Sequence, residues 1–94
     1  SGAFEQGKFF LTVDQNTNSE SLELVCDEIM KNHPEFSNIV ICVYSATVPG
    51  KELAIGNDDK VNLEDKRKSW LAMYTYNSVE GAYFDDNPTR YLGN

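Results

Sequence analysis

The most regular pattern in the chain is a run of apolar positions on a 3.6-residue period. Leu22 is followed by Val25, Cys26, Ile29, Met30 and His33 at steps of 3, 4, 7, 8 and 11, which form one continuous stripe on a helix surface. The spacing predicts an amphipathic helix. Thr17 or Ser19 stands ready to cap its N-terminus, Thr17 with Glu20 three residues on as a capping box, and Glu20 and Glu23 suit the positive end of the helix dipole. Pro34 disfavours helical geometry at His33, so the helix ends at about Asn32. Before it, Lys8 to Val13 alternates Phe9, Leu11 and Val13 against Phe10 and Thr12 and reads as a strand, closed by the polar turn Asp14 to Ser19. After it, Asn38 to Tyr44 is apolar on both faces, the mark of a strand near a sheet centre. Strand, helix and strand make a βαβ unit with parallel strands and a right-handed crossover.

The second half is less regular. Pro49 can open a short helix that runs to about Ile55 and stops at Gly56, with a loop as the competing reading, and Asn62 to Lys68 can form a further helical turn. Ser69 to Tyr76 alternates Trp70, Ala72, Tyr74 and Tyr76 against Leu71, Met73 and Thr75, a strand with its rings on one face. Asn77 to Gly81 is a turn, and Ala82-Tyr83-Phe84 either returns as a short antiparallel strand or packs across the sheet edge. The expected fold is therefore α+β: a small two-layer α/β sandwich in which a βαβ unit is followed by one or two antiparallel strands. All 94 residues form one domain, with residues 1–7 a tag scar and lead-in, 8–84 the folded core and 85–94 an extended tail. One helix cannot cover both faces of such a sheet, so this reading leaves the opposite face open and rich in rings.

Charge removes some functions. Fifteen acidic against eight basic side chains give a net −7, which repels a phosphate backbone, and Lys66-Arg67-Lys68 is too small a basic cluster to offset it. Nucleic-acid binding is not expected. The longest apolar run, Ile39 to Tyr44, is far short of the roughly 18 residues a spanning helix needs, so neither is membrane insertion. The opening Ser1-Gly2-Ala3 without Met suggests an excised fragment or a mature product.

Candidate chemistry is sparse. His33 is the single histidine, which excludes multi-histidine metal sites, and its place at the end of the apolar stripe suits a structural residue. Cys26 lies about two turns earlier, roughly 10 Å along the axis, too far to pair with it. Cys26 and Cys42 read as packed free thiols, with a disulfide as the alternative. The acidic clusters at Asn57-Asp58-Asp59, Glu64-Asp65 and Asp85-Asp86-Asn87 match no calcium loop, and no glycine-rich phosphate loop follows Val13, so no metal or cofactor is expected. Rings are dense near the C-terminus: Trp70, Tyr74, Tyr76, Tyr83, Phe84 and Tyr91 fall within 22 positions.

The resulting expectation is a non-catalytic interaction module, excised from a larger or exported protein, that meets a protein partner or its own copy. Its binding residues would be Trp70, Tyr74, Tyr76, Tyr83, Asp85 and Asp86, an aromatic and acidic surface suited to a basic partner. A second reading is a small ligand-binding or enzymatic domain with a pocket between helix and sheet, lined by His33, Cys42 or Tyr44 with abnormal titration. A third is an acidic mimic of nucleic acid.

Overall fold

The computed structural model describes residues 6–92. The Ser1-Gly2-Ala3 opening and most of the 1–7 lead-in lie outside these residues. Strand β1 (Gln6–Val13), helix α1 (Ser19–Lys31) and strand β2 (Asn38–Ser45) come first. They are followed by helices α2 (Val48–Ala54) and α3 (Leu63–Ser69), then strands β3 (Trp70–Asn77) and β4 (Gly81–Asp85). The four strands form one sheet in the order β1-β2-β3-β4; β1 and β2 are parallel and the other pairs antiparallel. This is the expected α+β fold, a βαβ unit extended by two antiparallel strands.

Helix α1 forms where its stripe predicts and stops at the cap Asn32. Its N-cap is Asn18 rather than Thr17 or Ser19. Asn18 Oδ1 accepts the Ser21 N–H at 2.8 Å, because the two hydroxyls are engaged elsewhere. Thr17 donates to the Asp14 carbonyl at 2.7 Å, closing the preceding turn, and Ser19 donates to the Asp86 carboxylate at 2.7 Å. Leu22 and Cys26 drive the helix onto one face of the sheet, where Ile39, Ile41, Val43, Ala72 and Tyr74 complete a buried cluster. Full burial of a side chain such as Leu22 contributes about 1.5–3 kcal/mol.

The opposite face is not left open. The segment 48–69, downstream of the βαβ unit, lays α2 over β1 and β2 and brings α3 against α2 and β3. A second buried cluster of Cys42, Tyr44, Leu53 and Val61 forms beneath it, flanked by Val40, Trp70 and Met73. Thr47 caps α2 by accepting the Gly50 N–H at 3.2 Å. Gly50 lies so close to the end of β2 that a Cβ there would run into the Ser45 carbonyl, which fixes glycine at this contact. Gly56, just past the end of α2, has φ +90°, a conformation that suits glycine. Helical spacing over Pro49–Ile55 and Asn62–Lys68 is thus realised, and the expectation of an uncovered second face is corrected over the Cys42–Tyr44–Trp70 end.

The C-terminal residues also differ from an extended tail. Asp85 ends β4, and residues 88–92 coil into a 3-10 turn against β3 and α3 with Pro88 fully buried. The cause is the Asp85 carboxylate, 4% exposed, which draws in Arg90 (Nη2–Oδ2, 3.1 Å) and the Asn87 N–H (2.8 Å). Residues 93–94 lie outside the description.

Candidate functional site

The rings gathered by sequence are divided by the sheet. Tyr74, 1% exposed, lies under α1 and donates its hydroxyl to Asp27 Oδ1 at 2.9 Å. Burial, with the Asp27 hydrogen bond and charge, pushes its phenol up. Tyr76 and Phe84 are half-buried against the same layer. Tyr83, 53% exposed, is on the other face, in the row Lys8, Val40, Thr75, Tyr83 that crosses all four strands. Trp70 is on that face as well, beside Tyr44, with ring centroids 6.4 Å apart at 31°. The side chain of Tyr91 lies outside the description.

A β-bulge separates Trp70 from the ring set expected on its face. Val43 pairs with Ala72, but Tyr44 pairs with Trp70, so Leu71 is an extra residue in β3. Strict alternation fails there. Leu71 packs with the α1 layer and Trp70 swings to the second face. Of the two acidic candidates, Asp85 is buried and ion-paired as described, while Asp86 is exposed and accepts from Ser19. The six expected binding residues therefore do not share one surface.

His33 belongs to the α1 layer. Its ring lies 4.7 Å from Phe9 and 5.9 Å from Phe36, centroid to centroid, and Nδ1 is 3.1 Å from Glu35 Oε2. That hydrogen bond holds the Glu35 carboxyl below its usual range. Cys26 and Cys42 are both free and buried, and they pack in the clusters on opposite faces of the sheet. No group of three or more His, Cys, Asp or Glu among the described residues is placed to hold a metal.

What the second face does bring together is a cleft. Its inner part, about 270 Å³, is lined by Cys42, Tyr44, Leu53, Lys66, Trp70 and Met73, with Asp58 at its edge. A neighbouring hollow of about 390 Å³ shares Tyr44, Leu53 and Asp58 and continues between Phe10 and Ile55. Strand parity explains the floor: Phe10, Cys42 and Met73 are register partners across β1, β2 and β3 on this face. The roof comes from α2, through Leu53, and from α3, through Lys66.

Inside the cleft, burial pushes the Cys42 thiol up, a hydrogen bond from Tyr44 offsets part of this, and the Asp58 charge adds to it. The Tyr44 phenol is also raised, first by burial and then by Cys42 and Asp58. Both groups are neutral at ordinary pH. The Trp70 indole N–H is buried and meets no acceptor among the described residues.

Sequence reading named Cys42, Tyr44 and Trp70 but missed Leu53, Asp58, Lys66 and Met73 as their companions. The available signal was the parity of Cys42 and Tyr44, both on the face away from α1, together with the short helix opened by Pro49. In comparisons with protein-family models, with characterised proteins and with solved structures, nothing matches this chain.

Proposed function

We propose that this chain is a non-catalytic binding module that takes a small ligand in the cleft between the second face of its sheet and the α2–α3 segment. The observation that carries this reading is the convergence of Cys42, Tyr44 and Trp70 in one concave, largely apolar site with two charged side chains at its edge. The same site argues for binding over turnover. A nucleophilic cysteine needs a lowered pKa and a base within reach; Cys42 is raised instead, and His33 lies in the layer on the other side of the sheet.

A screen of small apolar and aromatic compounds by amide and indole NMR shifts tests the proposal. Shifts concentrated at Cys42, Tyr44, Leu53, Trp70 and Met73 are expected. Compounds that leave these signals in place while the protein remains folded would count against it.

A protein partner or self-association is the second reading, and one observation favours it. The row Lys8, Val40, Thr75, Tyr83 lies beside the cleft and is less covered, with Phe10 next to it 51% exposed. Signals of Tyr83 and Phe10 that move with protein concentration, while the cleft signals stay, would favour this reading.

A further inference from the structure

Beyond its apolar lining, the inner cleft carries two opposite charges. Lys66 is half-buried and Asp58 exposed, and both line the same 270 Å³ space. Neither side chain has an ion-pair or hydrogen-bond partner among the described residues. The Trp70 ring lines the same space, with its N–H buried. The site thus offers one ammonium for an anion and one carboxylate for a cation. Between them, Leu53, Met73 and the Tyr44 and Trp70 rings supply the apolar wall. The ring faces can also attract a cation.

Building on the cleft reading above, we propose that the ligand is a zwitterion of amino-acid size with an apolar side chain, in short a free apolar amino acid. Its carboxylate meets Lys66 Nζ, its ammonium meets Asp58, and its side chain lies against Leu53, Met73 and the Trp70 ring. Three properties of the site select this class. An anion alone would face the Asp58 carboxylate, and a cation alone would face Lys66, whereas a ligand with both charges satisfies both walls. A volume of 270 Å³ falls just below the roughly 300–1,000 Å³ of sites for drug-sized ligands, so the occupant is small. The interior is also apolar enough to favour a hydrophobic side chain over a polar one.

The chain has one tryptophan, so the indole N–H proton reports on the site without ambiguity. The test titrates phenylalanine, phenethylamine and 3-phenylpropanoate into the whole chain, following that proton and the amide spectrum. Phenylalanine is expected to shift the indole signal, and each single-charge analogue to bind about tenfold more weakly or worse. Lys66→Met should weaken phenylalanine by a similar factor while sparing phenethylamine. Asp58→Asn should weaken phenylalanine and spare 3-phenylpropanoate. Asp58 is exposed and Lys66 half-buried, and the amide spectrum of each variant verifies that it folds. Equal binding of all three compounds would overturn the zwitterion and leave the apolar cleft standing. An indole signal unmoved by phenylalanine would also overturn it, while the broader compound screen separately decides the cleft.

Discussion

Tyr74 shows how one polar atom fixes the contact between α1 and the sheet. Its ring fills the α1 layer, and its hydroxyl reaches Asp27 on α1, 47 positions earlier in the chain, at 2.9 Å. A hydrogen bond to a charged acceptor contributes about 1.5–3 kcal/mol. Tyr74→Phe keeps the ring and removes the donor, so urea denaturation should show a loss of about that size. An unchanged midpoint would mean that water replaces the hydroxyl at Asp27 without cost.

At the scale of elements, a charge pair joins the terminal turn 88–92 to the sheet. Arg90 is half-exposed and Asp85 almost wholly buried. Arg90→Gln should therefore cost about 1–2 kcal/mol, less than a fully buried pair because solvent screens the arginine. It should also raise hydrogen-exchange rates at residues 88–92 ahead of those in β3. Uniform exchange across both would show that the turn is not a separate unit.

The first half of the chain was legible element by element, and the reasons are local. The stripe from Leu22 to His33 and the doubly apolar Asn38–Tyr44 each allow one period only, and both helix α1 and strand β2 lie where those periods place them. Pro49 and Gly56 likewise mark a helix whose ends are set by capping and by φ. What could not be read was how these elements stack. Nothing in the order of apolar residues says that α2 folds back over β1 and β2, because Leu53 alone supplies its buried apolar contact. The acidic tail was misjudged for a similar reason: Asp85 reads as a solvated turn until Arg90, five residues later, is seen to reach it. The cleft was legible in part, through Cys42, Tyr44 and Trp70, and hidden in part, since Asp58 and Lys66 enter it only by tertiary packing.

Across the molecule, four groups among the described residues are buried and ionise only in alkali: Cys26, Cys42, Tyr44 and Tyr74. Burial pushes all four up, Cys26 from 9.0 to about 12. A pKa raised by folding means that the stability linked to the neutral group is present in full below the ordinary value and drains away as pH climbs toward the folded one. The melting temperature should therefore hold from neutrality to about pH 9 and fall steeply above it. Both thiols should resist a thiol-specific reagent in the native state at about pH 8 and react together once denaturant is added. Rapid native reaction at Cys42 would show that the cleft opens to solvent far more often than its packing suggests.

Because one surplus residue in β3 determines which side of the sheet receives the indole, the place of that irregularity matters more than composition. A variant without Leu71 would bring the strand back into even step with Trp70 still opposite Tyr44, so the indole would stay on the cleft side and only a leucine would leave the layer beneath α1. Regular pairing of the full-length strand would act otherwise: Leu71 would come opposite Tyr44, and Trp70 would cross to join Tyr74. Descendants of this sequence can thus forfeit a wall of the cleft by straightening one strand, with every side chain kept.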